Sequence, residues 1–185
     1  RKGEFTVKEL KVEMLGGLSV FADGVQVHTG KERITKPWKL FCMLLIGREA
    51  PIPTSYIIDV LWADAEIEDY ANTAKNAVYM LRRQLEGSAP LKNSVILFKQ
   101  GGYMLNPALD IQWDCDVFFS LCEEAANEKQ SVQSRIESCK AALALCKGDF
   151  LPTIGFEQWA LPFSMLCQKR YIECAHTLEK LYFDE

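Results

Sequence analysis

The chain has 185 residues, 49% of them hydrophobic and 25% charged, with a formal net charge of −4. Such a chain builds a core and is no disordered tail, and its acidic balance weighs against general nucleic-acid affinity. The longest apolar run, Leu40 to Ile46, is too short for a membrane span, and no signal-peptide pattern opens the chain. The opening Arg1 and a helical pattern running into LEKLYFDE lead us to expect a piece of a longer protein.

From Leu10 the pattern is that of strands. Leu10, Val12 and Met14 alternate with polar residues, and LSVFADG and VQVHT repeat the alternation around Asp23-Gly24, a hairpin turn signal. Arg33-Ile34-Thr35 is a weaker, short strand. Pro37 opens a helix, PWKLFCMLLIG, apolar on nearly all sides and ended by Gly47. Pro51-Ile52-Pro53 is a rigid connector. Thr54 or Ser55 caps the next helix, whose Ile57, Ile58, Leu61 and Trp62 share one face. An acidic loop follows, with Asp64, Glu66, Glu68 and Asp69, the last capping what comes next.

The third helix spans 70–87. At 100° per residue Ala71, Ala74, Val78, Leu81 and Leu85 form an apolar stripe. The opposite stripe holds Asn72, Asn76, Tyr79 and Arg83, with Thr73 and Met80 beside it. Gly87 ends it, and Arg82 and Arg83 sit in the last turn, where the helix dipole favours cations. Asn pairs bidentately with adenine and Arg with guanine in the major groove. SVILFKQGGYMLN then reads as a hairpin turning at Gly101-Gly102. Strands, three helices and a hairpin make an α+β winged helix-turn-helix, with the 70–87 helix as recognition helix and 95–106 as wing.

From Trp113 the strand pattern stops. Asp114 or Asp116 caps a helix over VFFSLCEEAAN, a second runs over VQSRIESCKAALALCKG, and a third runs from about Glu157, with Pro162 kinking it or marking its start. These amphipathic helices have the size of tetratricopeptide units, without a strict 34-residue repeat. We therefore expect two domains, 8–110 and 111–185, the second all-α. Charge divides the same way. Residues 1–110 carry 14 Lys+Arg against 13 Asp+Glu, and residues 111–185 carry 7 against 12. Any DNA contact belongs to the first part.

Six of the seven cysteines form three pairs at spacing seven: 115 and 122, 139 and 146, 167 and 174. Within a helix such a pair lies two turns apart, too far for a disulfide, and the spacing misses the usual zinc patterns. Reduced, metal-free thiols in a cytoplasmic core are expected. Neither His28 nor His176 has a base–nucleophile pattern around it, and no glycine-rich phosphate loop occurs. No enzyme and no cofactor is expected.

The succession LGGLSVFADG, ITKPWKLFCMLLI, DVLWADAEIEDYANTAKNAVYMLRRQL and GGYML resembles the SARP-type bacterial transcriptional activators, whose DNA-binding part is an OmpR/PhoB-type winged helix. ALALCKGDFLP and EQWA resemble their bacterial transcriptional activator domain. The resemblance covers about residues 10 to 183 and rests on order and spacing. It implies a sequence-specific transcriptional regulator acting as an activator. It places Asn72, Thr73, Asn76, Tyr79, Met80 and Arg83 towards double-stranded DNA, Trp62 near a phosphate, and Lys99 with Gln100 at the wing tip. It makes Asp64, Glu66 and Glu68 candidates for contacting RNA polymerase, and it implies direct-repeat sites bound by a homodimer. Two departures stand out: Met104 holds a position where family wings carry Arg, and Ala77 and Met80 stand where basic or polar residues are common. The scarcity of cations keeps a second reading open, that of a protein-interaction or signal-receiving module with weak or lost DNA binding.

Overall fold

The computed structural model describes residues 7–30, 32–87 and 95–183. The expected wing boundary at Ser94 lies outside them. Two compact units emerge. One holds the described residues of Arg1–Lys11, Val20–Val27 and Glu32–Ile111, and the other holds Val12–Ser19, His28–Lys31 and Gln112–Glu185, again as far as described. No helix among the described residues is long and apolar enough to cross a membrane.

Strands β1 (Glu9–Glu13), β2 (Ser19–Ala22) and β3 (Val25–His28) follow the expected alternation, with Leu10, Val12, Val20 and Ala22 buried. Asp23 and Gly24 both take positive φ, 46° and 80°, the mirror-image turn that suits strand twist. The Asp23 carboxylate also accepts from the amides of Lys8 and Glu9 at 3.0 Å, so the turn residue holds the start of β1 as well. No strand forms at 33–35. Thr35 is extended and leads directly into α1 (Lys36–Ile46).

Helix α1 buries Trp38 and the run Leu40 to Leu45, as its all-round apolar surface demands. Gly47 closes it by donating to the Met43 carbonyl at 2.9 Å. Helix α2 (Thr54–Leu61) buries Ile57, Ile58 and Leu61. Neither Thr54 nor Ser55 caps it; Pro53 takes the cap position, and no side chain there accepts a hydrogen bond. The connector before it is more than a linker. Ile52 and Pro53 form a short strand, β4, antiparallel to Tyr103 and Gly102. Helix α3 (Tyr70–Glu86) then leads to β5 (Ile96–Lys99) and β6 (Gly102–Leu105), giving a three-stranded sheet in the order β4–β6–β5. A strand that the pattern did not announce, β7 (Asp110–Trp113), joins the first sheet, ordered β3–β2–β1–β7.

The second unit carries α4 (Asp114–Ala126), α5 (Val132–Leu145) and α6 (Leu161–Phe183), all three packed on one another. Ser131 caps α5, accepting from the Ser134 amide at 3.2 Å. Residues 151–160 are a succession of turns, so α6 starts four residues later than expected, with Pro162 marking its start rather than kinking it. Phe163 centres an aromatic cluster there, with ring centroids 5.2 Å from Trp113, 5.0 Å from Phe150 and 5.8 Å from Phe119. Asp114 and Asp116 lie in the first turn of α4, but Trp113 holds the cap position and no side chain caps it. The Asp114 carboxylate serves another purpose, accepting from the amides of Met14 and Leu15 at 2.9 Å.

Candidate nucleic-acid interface

Helix α3 is built to present a polar surface. Asp69 caps it, its carboxylate accepting from the Asn72 amide at 2.9 Å. Ala74, Ala77, Val78, Leu81 and Leu85 face the core. The apolar stripe thus differs from the expected one at two places: Ala71, in the first turn, is exposed, and Ala77 is buried. Residue 77 is therefore no departure on the outward face; its small side chain is a packing choice. Asn72, Asn76, Tyr79, Met80 and Arg83 are all exposed, and Thr73 is half-buried at the edge.

Lys75 is exposed too. It follows Asn72 by three residues and precedes Asn76, Tyr79 and Arg83 by one, four and eight, so helical spacing puts it on the same stripe. The amides drew attention away from it, although its spacing alone was sufficient signal.

The last turn of α3 fixes the wing. Arg82 does not simply answer the helix dipole; its guanidinium donates to the Ile96 carbonyl. Glu86 accepts from the Val95 amide at 2.9 Å. Burial lowers the Arg82 pKa, with Glu86 acting in the opposite sense. Arg82 is thus committed to β5, and Arg83 is the exposed guanidinium of the pair.

The wing turns at Gln100 and Gly101, with φ of 52° and 77°, one residue earlier than expected. Gly102 is already the first residue of β6, paired with Lys99. A Cβ there would lie 2.3 Å from the Ile52 carbonyl oxygen, so β4 and β6 approach at a distance that only glycine permits. The Gly101 carbonyl accepts from both the amide and the hydroxyl of Thr54, at 3.2 and 3.0 Å, tying the wing turn to the start of α2. Lys99 and Gln100 are exposed at the tip. Phe98 is 57% exposed with its ring 5.0 Å from that of Tyr103. Met104 is buried, so it is a core residue of the wing and occupies no outward cationic position.

Trp62, half-buried at the end of α2, carries the Lys36 ammonium 4.7 Å from its ring centroid. The tryptophan was expected and the lysine was not; thirty-six and sixty-two meet only through the packing of α1 and α2. Asp64, Glu66 and Glu68 are exposed on the loop between α2 and α3. His28 is buried, with Nδ1 2.9 Å from the Leu18 carbonyl, and His176 lies 3.5 Å from Glu179, both in structural or surface settings.

No protein-family model matches the chain, and no curated protein does. Among solved structures, Mycobacterium tuberculosis EmbR in complex with a low affinity phosphopeptide aligns at a TM-score of 0.74 with 21% identity. The chain has an EmbR-like fold. The alignment covers 94% of this chain and 45% of EmbR, so the chain spans less than half the length of that protein. At this identity the likeness speaks for the fold, and the winged-helix and helical parts described above are both consistent with it.

Proposed function

We propose that this chain is the DNA-binding and helical part of a SARP-type transcriptional activator, with α3 in the major groove and the wing on the adjacent backbone or minor groove. The observation that carries this reading is the continuous exposed stripe of Asn72, Lys75, Asn76, Tyr79 and Arg83 on a helix whose other face is sealed in the core. An ordinary surface helix needs no such alignment of amides and cations. Base-edge readout does, because amide and guanidinium groups match the hydrogen-bonding edges of purines. The EmbR-like fold and the order of the SARP-like motifs support the same reading. In it, Thr73 and Met80 flank the readout, Trp62 with Lys36 and Lys99 with Gln100 hold phosphates, and Asp64, Glu66 and Glu68 face RNA polymerase. Two copies bind direct repeats spaced by about one helical turn.

The test is selection of a duplex from a random pool by the purified chain, followed by competition of the selected site against unselected duplex. Enrichment of sites with A·T pairs where Asn72 and Asn76 reach supports the reading; absence of any sequence preference at low salt removes it.

One observation favours the second reading. Helix α6 exposes Leu161, Met165, Leu166, Ile172 and Phe183, the last at 82%. A cavity of about 660 Å³ opens beside its first half, lined in part by Phe156, Leu161, Tyr171 and Ile172. Apolar surface of that kind suits a protein partner. In an interaction module with weak or lost DNA binding this surface would be the working site, and substitutions there would abolish function while changes on α3 would not.

A further inference from the structure

The three cysteine pairs at spacing seven have a consequence in three dimensions. Two turns separate the members of each pair, so each helix offers a thiol at two heights. Packing of α4, α5 and α6 brings these heights into register. Cys115 of α4 hydrogen-bonds the thiol of Cys167 of α6. Two turns further on, Cys122 of α4 hydrogen-bonds the thiol of Cys174 of α6. Cys174 also bonds the Cys139 thiol and lies 3.8 Å from the Cys139 carbonyl oxygen on α5. The sequence excludes a disulfide within a pair; the fold creates thiol contacts between pairs.

We propose that Cys122 and Cys174 form an oxidisable dithiol that a peroxide closes to a disulfide joining α4 to α6. Their thiols already touch, so no helix needs to move far for the bond to form. Cys122 is the more open of the two, at 8% exposure against 4%, and Cys115 and Cys139 are fully buried. Cys122 is also the better nucleophile. The hydrogen bond from the Cys174 thiol holds it below the ordinary thiol value, against the opposing effect of burial. Burial pushes Cys115 far above that value, with the Asp114 carboxylate adding to the rise, and pushes Cys139 up to about 12. The other contact, Cys115 with Cys167, therefore lacks a thiolate to start the reaction.

The chemistry balances in two steps. The Cys122 thiolate attacks one oxygen of the peroxide, an S–O bond forms and the O–O bond breaks. The departing oxygen takes up the proton lost by the thiol and leaves as alcohol or water. Cys174 sulfur then attacks the sulfenic sulfur; the S–S bond forms, the S–O bond breaks and water leaves with the Cys174 proton. Two electrons pass from the two thiols to the peroxide. The inference is independent of the DNA-binding reading.

The experiment treats the reduced, folded chain with hydrogen peroxide, blocks remaining thiols by alkylation under denaturing conditions, and maps cross-linked peptides by mass. The expected result is a fall in alkylated cysteines from seven to five, with the peptide bearing Cys122 joined to the peptide bearing Cys174. A dithiol reductant should reverse it, and the oxidised chain should melt at a higher temperature because a long loop is closed. Cys122→Ser and Cys174→Ser should each abolish this cross-link. The wild-type map stands by itself should either variant fold poorly. Cross-links scattered over several pairs, oxidation only after unfolding, or sulfinic acid at Cys122 with Cys174 untouched would each overturn the proposal.

Discussion

Asn76 and Lys75 stand side by side on α3, yet their expected contributions separate cleanly. An asparagine that pairs with adenine adds to affinity for one sequence, whereas a lysine on a phosphate adds to affinity for all. Asn76→Ala should cost about 1–3 kcal/mol on a selected site and little on random duplex. Lys75→Ala should weaken both alike and flatten the salt dependence by about one unit of slope. Competition binding of the two variants on selected and random duplexes decides between these outcomes, and equal losses for Asn76→Ala would show that it reads no base. Gly102 makes a point of a different kind. Its missing Cβ leaves room for the Ile52 carbonyl at a distance where a methyl group would sit 2.3 Å away. The obstacle is backbone, which cannot rotate aside, so Gly102→Ala should lower unfolding stability by about 1–3 kcal/mol. Gly101→Asn keeps a residue tolerant of positive φ and should cost less; denaturant melts of the two would show whether the close approach or the turn is the sensitive feature. At this scale helical period makes Asn72, Asn76, Tyr79 and Arg83 legible as one exposed stripe. The Lys36–Trp62 stack is not legible, because no local pattern links residues brought together by two helices.

Among the elements, the three helices of the winged part could be placed within a residue or two because their apolar periodicity is strong. What escaped were ends and short strands whose partners are distant in sequence. Thr54 has the chemistry of a cap, but its hydroxyl is drawn to the Gly101 carbonyl of the wing. β4 and β7, at two and four residues, are too short to show alternation, and Pro53 argues against a strand until β6 lies beside it. Asp114 is the clearest case. Its position before an apolar helical run suggested capping, whereas it receives the amides of Met14 and Leu15, a hundred residues earlier. Burial raises its pKa above the usual carboxylate value, and those amides oppose the rise. A carboxyl raised on folding holds its proton more tightly in the native state than in the unfolded one. Its contribution to stability therefore falls as pH rises from the ordinary carboxylate value to the raised native value, and returns on acidification. Urea melts across that window should show the wild type gaining on Asp114→Asn as pH falls. The opposite slope would mean that the two amides outweigh desolvation and hold the group as an anion. Asp114→Ala should cost about 1–3 kcal/mol at neutral pH by leaving the amides without an acceptor.

For the whole molecule, charge decides how a winged helix with so acidic a chain can hold DNA. The net charge is −4, and residues 111–185 hold 12 acids against 7 Lys+Arg. Phosphate neutralisation supplies most of the sequence-independent affinity, and each neutralised phosphate contributes about −0.9 to the slope of log K against log salt. Four exposed cations lie on the elements of the candidate interface: Lys36, Lys75, Arg83 and Lys99. Arg82 does not join them, since its guanidinium is taken by the Ile96 carbonyl. If all four meet phosphates the slope is about −3.6, which amounts to roughly a hundredfold loss of affinity between about 50 and 200 mM salt. Proteins making six to ten such contacts lose about a thousandfold or more over that range. Weak non-specific binding has a consequence for specificity. With little general affinity to draw on, sequence preference must come from the Asn72 and Asn76 amides, and occupancy must come from two copies on a repeated site. Titration of a single half-site and of a direct repeat against salt tests this. Both should give shallow slopes per copy, and the repeat should bind far more tightly than the half-site. A slope near −8 for one copy would reveal cations outside α1, α3 and the wing. A half-site as tight as the repeat would show that a single copy suffices.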